Sequence, residues 1–507
     1  MRGLLLDNII TNLSFKGVLC IVLGLMLGIL TLLLSPLYTV VIILGVFALY
    51  MSAIKPEIGV LIILVLISSI VFEDDLPLMP IGIGSLHLSD LLMMFLFMVL
   101  FYRVMTDSSF TVSRSPLNVP LTLFVMFALF STYISISLYG VNFNQAFSLF
   151  RAVSYYLVYY LVANLIREKS QILFLVKGMF IVATIVTVVM IIQAIIGDAI
   201  ILIPGRVEKS GTFDEEFETL RLLPPGQTLL YVLFIVAICI YSLNIREKLL
   251  TSKYIYLISI LGAGVILTYN RTYWVAIILT YSILFIMSNK ESKKRLLVLL
   301  GILIILTCAI RIMYADNTQM QEAIRSITMR FTSLFTGGEL HKSSSVEARY
   351  IENEYALKQV ANHPIIGIGL GNDYRPQVFY GDDEFTYYVH NGFMWILLDT
   401  GIIGFLLFFW FYIGFIIRCI RKWKFISDDY LRYLVVGFML SCIGIIPMTL
   451  YNPIFMQWFS IVVIAIITGL TDSIINTSAI EKFKDEYNSQ NVKLTGKPET
   501  RTTQAVL

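Results

Sequence analysis

The stretch YVHNGFMWILLDTGIIG, Tyr388 to Gly404, decides how the rest of the chain is read. Its first residues close a polar block that begins near Tyr314, and its later residues run straight into an apolar span. Upstream, the same block contains HPIIGIGLGNDY, His363 to Tyr374. The sequence on both sides of 314–388 reads as membrane. A polar block of about 75 residues is far beyond ordinary connection length and is expected to carry function. It delivers His390 and Asn391 to the lip of a hydrophobic span, and chemistry is expected there.

Composition supports the membrane reading. Of the 507 residues 58% are hydrophobic and only 14% charged, whereas soluble domains carry about 25% charged residues. A mean hydropathy of +0.82 excludes an ordinary soluble enzyme. Repeated apolar runs of about 20 residues point instead to one large integral-membrane domain. A net charge of +3 carries little information, because placement matters more than the sum. No nucleic-acid partner is expected. Cys20, Cys239, Cys308, Cys419 and Cys442 fall in or beside apolar runs without a CxxC pair. They read as buried thiols, with no disulfide framework and no zinc site.

Apolar runs set against charged breaks give about fourteen spans: 17–34, 37–54, 58–72, 88–105, 119–138, 146–166, 177–197, 227–243, 253–269, 272–288, 296–313, 390–418, 432–450 and 454–471. The first is read as a retained span, since no small-residue cleavage site follows it. The twelfth is long enough to be tilted or broken near Gly401 and Gly404. With the N-terminus inside, 25 of the 37 Lys and Arg fall on the cytoplasmic side and 12 on the other. Lysine and arginine prefer that side, so the count supports both termini in the cytoplasm. Residues 1–471 are thus read as the transmembrane domain and 472–507 as a polar cytoplasmic tail, with Ile480 to Leu507 expected to be disordered.

This topology puts all four histidines (His87, His341, His363, His390) on the outer face. Within the long loop, an amphipathic helix is expected around Gln319 to Phe335. A second is expected from the capping box Ser344-Ser345-Val346-Glu347 to about Asn362, where Pro364 stops it. Arginine near the bilayer is costly and usually functional. Arg151, Arg221 and Arg271 all lie at the outer face, and each is either a snorkelling residue or a ligand for an anion. Three together favour a shared anion with several oxygens, such as a phosphate or diphosphate. No nucleotide pool exists outside the cytoplasm, so a group-transfer reaction there needs a donor already activated, such as a lipid-linked diphosphate glycan. Arginines would stabilise the charge developing on the leaving diphosphate.

His390 suits a general base near neutral pH, with a capping role at the span as the alternative. Asn391 either orients His390 or caps the helix. Asp399 reads as a structural polar residue. Gly367, Gly369 and Gly371 lack the strand-to-helix setting of a dinucleotide fingerprint and read as a tight turn or a close approach. The GDDE run at Gly381 to Glu384 reads as a solvated face.

Arg349, then HPIIGIGLG, then VHNGFMWILLDTGIIG, taken in order, resembles the O-antigen ligase and polymerase superfamily of bacterial membrane glycosyltransferases. The matching positions are Arg349, Pro364 with Gly367, Gly369 and Gly371, His390 with Asn391, and Gly401 with Gly404. Arg271 with Trp274 and the upstream loop Arg221 extend the likeness, which covers about Arg151 to Gly404. The resemblance implies a GT-C-like helical fold and transfer of an undecaprenyl-diphosphate-linked glycan without a metal or cofactor. It also implies arginines at the diphosphate and a histidine that activates the acceptor. Two departures stand out: Pro224, Pro225, Gly226 and Gln227 replace an Asn-Pro-Asn-like stretch, and Asn270 stands where many ligases have Ser.

The expectation is therefore an all-α polytopic enzyme of the bacterial inner membrane, with its active site facing outward. It would take a lipid-linked oligosaccharide donor and a glycan or glycolipid acceptor, in polymerisation or ligation of an O-antigen, capsule or exopolysaccharide. Polysaccharide-assembly proteins are candidate partners. The competing reading is a transporter or flippase of lipid-linked oligosaccharide. Such a protein should show internal repeats and charge near the midplane, which the sequence lacks.

Overall fold

In hydrocarbon every backbone N–H and C=O must find a partner within the protein, and a helix meets that demand along its own length. The computed structural model describes residues 36–68, 70–71, 79–80, 85–198, 200–203, 205–211, 218–244, 248–313, 325, 327–328, 331–332, 344–376 and 385–495. In chain order its helices are α1 (Pro36–Ile54), α2 (Pro56–Leu66), α3 (Leu88–Thr106), α4 (Asn118–Tyr139), α5 (Phe143–Ser154), α6 (Val158–Leu165), α7 (Lys169–Ile196), α8 (Gln227–Leu243), α9 (Lys248–Leu267), α10 (Arg271–Met287), α11 (Lys290–Met313), α12 (Ser344–Asn362), α13 (Gly392–Lys422), α14 (Asp429–Thr449) and α15 (Trp458–Thr495). A 3-10 turn, Tyr155–Leu157, joins α5 to α6.

The expected spans from the second to the last overlap these helices, with 146–166 divided between α5 and α6 and 58–72 running past the end of α2; the first, 17–34, lies outside the described residues. Among the described residues, 7 helical segments are long and apolar enough to cross a membrane, and shorter apolar helices accompany them. The chain is a multi-pass membrane protein. Its surface agrees. Met98, Phe101, Tyr102 and Met105 are all exposed on α3, at the spacing of one helical stripe. Such a face would be a liability in water and belongs against lipid. By contrast, the Trp458–Ser478 window of α15 is 89% buried, against 28% for α3, so α15 lies at the centre of the bundle. Small residues let it in: a Cβ on Gly469 would sit 2.9 Å from the Tyr159 carbonyl oxygen of α6.

Three expectations need correction or completion. The fold is all-α in class, with two short ribbons the sequence reading did not include: β1 (Met79–Pro80) pairs antiparallel with β2 (Ser85–Leu86), and β3 (Arg206–Gly211) with β4 (Glu218–Leu223). In β4 the alternation Leu220-Arg221-Leu222 has the period of a strand, which buries Leu222 and turns Arg221 to the other face. The tail is not disordered over 480–495, because α15 continues to Thr495. Neither Gly nor Pro interrupts the chain between Gly469 and Gly496. In the long loop, α12 begins and ends where the capping box and Pro364 require. The helix expected over 319–335 lies mostly outside the described residues, of which 325, 327–328 and 331–332 are helical. The Gly381 to Glu384 run lies outside them altogether.

The polar connections gather at two ends of the bundle. At one end Arg167 Nη2 donates to the Thr111 carbonyl at 2.5 Å, Ser113 N–H to Asn164 Oδ1 at 2.7 Å and Ser115 Oγ to Asp472 at 2.8 Å. At the other end, Asn452 Nδ2 donates to Thr272 Oγ1 at 2.8 Å, Arg221 Nε to the Thr268 carbonyl at 3.2 Å and Tyr139 meets His363 at 3.2 Å.

Candidate active site

The site begins at a broken helix. Gly401 inside α13 has φ 61° and ψ −168°, a conformation reserved for glycine, so the twelfth span is broken where length and glycine content indicated. The break frees two donors and two acceptors that an intact helix would have paired with each other. The glycine run takes all four. Ile368 N–H donates to the Leu398 carbonyl (2.9 Å) and Gly369 N–H to that of Asp399 (3.1 Å). Ile402 and Ile403 N–H donate back to the Pro364 and Ile365 carbonyls at 2.9 and 3.4 Å. The backbone groups freed by the break are thereby satisfied within the protein, as an apolar surrounding demands.

This seam tolerates no side chain. A Cβ on Gly367 would lie 2.5 Å from the Leu398 oxygen, and one on Gly369 would lie 2.8 Å from Ser135 Cα in α4. Gly367 and Gly369 both hold positive φ, and Gly371, also positive, receives Gln145 Nε2 of α5 on its carbonyl at 2.6 Å. The three glycines are therefore architectural: they let one chain segment complete another. Asp399 helps through its backbone, whose carbonyl also accepts from Ser131 Oγ at 2.6 Å.

The seam fixes the start of α13, where His390 stands. Asn391 is the N-cap: its Oδ1 accepts from Phe393 and Met394 N–H, both at 3.1 Å. The group that contacts the His390 ring is Glu352 of α12, with Oε2 2.9 Å and Oε1 3.1 Å from Nδ1. Tyr388 meets the ring edge-on at 4.9 Å between centroids. Glu352 also lies 3.6 Å from Arg375 Nη2, each side chain being only 7% exposed.

Arg349 lies one turn before Glu352 on α12. Burial, and after it the like charge of Arg221, pushes the Arg349 guanidinium below its ordinary value, while Glu352 opposes the shift. Its Nε is buried with no hydrogen-bond partner among the described residues, a costly arrangement that calls for an explanation. Arg221 acts electrostatically on Arg271 as well. Arg221, Arg271 and Arg349, brought by β4, α10 and α12, thus form one cluster of positive charge. Arg151 is placed differently: its Nη1 lies 3.8 Å from Asp90, which also accepts from Tyr155 Oη at 2.6 Å and from His87 N–H at 2.8 Å.

Sequence reasoning missed Glu352 and Arg375, and it missed the α14–α15 turn. Tyr451 of that turn is near enough to Arg349 to act on its charge, and Asn452 is tied to Thr272, the residue after Arg271. Gly392 leaves room for this turn against the start of α13, since a Cβ there would lie 2.7 Å from Thr449 Cγ2. Glu352 shares a helical face with Arg349, but nothing in that spacing points to His390. Arg349, Glu352 and Ala356 repeat at helical spacing, and Glu352 and Ala356 are both buried.

No curated protein matches the chain. Residues 255–409 match the family model described as O-antigen ligase, a segment that runs from α9 through Arg271, Arg349, the glycine seam and His390 to beyond the break in α13. That segment is similar to the O-antigen ligase family, and the match supports a ligase- or polymerase-type function in surface polysaccharide assembly.

Proposed function

We propose that the protein transfers a glycan from an undecaprenyl-diphosphate-linked donor to an acceptor sugar hydroxyl at the outer face of the cytoplasmic membrane. The product is a longer or newly attached surface polysaccharide. One observation carries this reading: the Arg221, Arg271 and Arg349 cluster, with a buried guanidinium N–H on Arg349 that has no partner among the described residues, adjoins a histidine held by a carboxylate.

The acceptor oxygen attacks the anomeric carbon of the donor while its proton passes to His390. The bond between that carbon and the diphosphate oxygen breaks, and its electron pair leaves with the lipid diphosphate. Guanidinium groups are suited to that leaving group, because their planar forks match phosphate oxygens and their charge is already in place. Like charges crowded together at a cost before the donor arrives would gain most as negative charge builds on the departing oxygens. The reaction as written needs neither metal nor cofactor.

The test is transfer by the purified protein in lipid, with a lipid-linked oligosaccharide as substrate. His390→Ala is expected to reduce transfer by about 100-fold or more, and Arg271→Ala by a comparable factor. Unchanged transfer in both variants, with folding intact, would overturn the assignment. Longer lipid-linked chains identify a polymerase. Glycan on lipid A core, protein or another final acceptor identifies a ligase. Movement of the labelled lipid-linked substrate across the bilayer with no new glycosidic bond would mean a transporter instead.

A further inference from the structure

We infer that Glu352, on the extramembrane helix α12, is the positioning residue for His390. It holds the ring through Nδ1 and leaves Nε2 to meet the acceptor hydroxyl, and Arg375 holds Glu352 in turn. The inference rests on the proposed transfer reaction for its role and on geometry for its existence.

Glu352 is 5% exposed, and a buried carboxylate needs donors to replace lost water. Those around it are His390 Nδ1 at 2.9 and 3.1 Å, the His390 backbone N–H at 3.3 Å and Arg375 Nη2 at 3.6 Å. An ionised carboxylate only accepts hydrogen bonds. Nδ1 must therefore carry the proton, which leaves the lone pair of the neutral ring on Nε2. That is the form a general base requires. The His390 side chain keeps 32% of its surface exposed while Glu352 keeps 7%, so the ring has one sheltered flank and one open flank. Tyr388 packs edge-on and restricts rotation of the ring plane.

Arg375 makes the arrangement one-way. Arg375 approaches the carboxylate from one side and two His390 donors from the other, so both carboxylate oxygens are engaged as acceptors. The charged or titratable groups facing His390 are Glu352 on α12, Tyr388 beside it in the chain and, through Glu352, Arg349 and Arg375. A glutamine in place of Glu352 would keep the shape but add an N–H₂ group to a ring of donors. When its oxygen faces Arg375, its amide nitrogen faces Nδ1 and drives the imidazole proton to Nε2.

The chain has 4 histidines, so ¹⁵N-histidine labelling of the whole protein in lipid, with His390→Ala to assign the signal, reads the tautomer directly. The native protein is expected to carry its His390 proton on Nδ1. Glu352→Gln is expected to move it to Nε2, and Glu352→Asp to keep it on Nδ1. In the transfer assay Glu352→Gln should lower kcat by about 100-fold or more, with KM for the lipid-linked donor within about twofold. Glu352→Asp should recover part of the rate. An unchanged tautomer and a native kcat in Glu352→Gln would overturn the inference and leave the function intact, provided His390→Ala is inactive. Native activity in His390→Ala would instead defeat the function, whatever the tautomer.

Discussion

The two polar ends of this protein use the same residue types to opposite effect. At the end carrying Asp472, charge is cancelled. Arg418 Nε lies 2.8 Å from Asp472, whose carboxylate also accepts from Ser115, Tyr159 and Asn476 at 2.8, 3.2 and 3.1 Å. Arg418 in turn reaches Asn476 at 2.7 Å. At the end carrying His390, charge is concentrated: Arg221 presses on both Arg271 and Arg349, and Glu352 serves His390 and Arg375 together. A closed network stabilises the folded bundle. A crowded one costs stability until a ligand arrives, which is how binding sites commonly differ from structural ion pairs.

Substitution should separate these roles. The largest loss of stability is expected from Asp472→Ala, which strands a buried arginine; removing one partner of a buried pair costs about 3–5 kcal/mol. Thermal unfolding in detergent should show it, with turnover per folded molecule unchanged. Equal destabilisation by Arg349→Ala would erase the contrast. That variant should instead keep or raise stability and lower transfer about 100- to 1,000-fold, the equivalent of about 3–4 kcal/mol in the transition state.

Gly401→Ala tests the seam between the two ends. Its Cβ would lie 2.4 Å from the Ile365 oxygen at a φ of 61°, and such strain costs about 1–3 kcal/mol. Both stability and transfer should fall together. The smallest effect is expected at Asp428, the N-cap of α14, which accepts from Leu431 N–H at 2.9 Å and pairs with Lys169. Burial raises its carboxyl, but Lys169 and the Leu431 amide outweigh that and hold it below the ordinary 3.8. Its contribution is therefore complete above that ordinary value and disappears as pH falls through the lower folded value. Asp428→Ala should cost about 1 kcal/mol near neutral pH and nothing in strong acid, as read by unfolding across that range.

Hydropathy made the spans legible because a membrane admits few alternatives to an apolar helix. The break in α13 was legible because Gly401 and Gly404 interrupt an overlong run, and α12 because its capping signal is local. Glu352 was hidden by distance: it meets His390 across 38 residues of chain, and no local pattern links a loop carboxylate to a span histidine. Arg151 looks like Arg271 in sequence, yet Asp90 stands beside it from another helix. The β3–β4 ribbon was missed because six-residue strands between spans leave only a faint period-two signal.

The seam at Gly401 has a consequence for diversification. Residues 364–371 and His390 are both anchored on α13, and Tyr374 closes the neck between them through Thr386 and Tyr388. The hydrogen bond from Tyr374 N–H to the Thr386 carbonyl closes a ring of chain at its base. Lengthening such a ring is cheap, since each doubling costs only about 0.6 kcal/mol. Changes of length between Arg375 and Phe385 are therefore expected to leave His390 in place, as native transfer by an insertion variant would show.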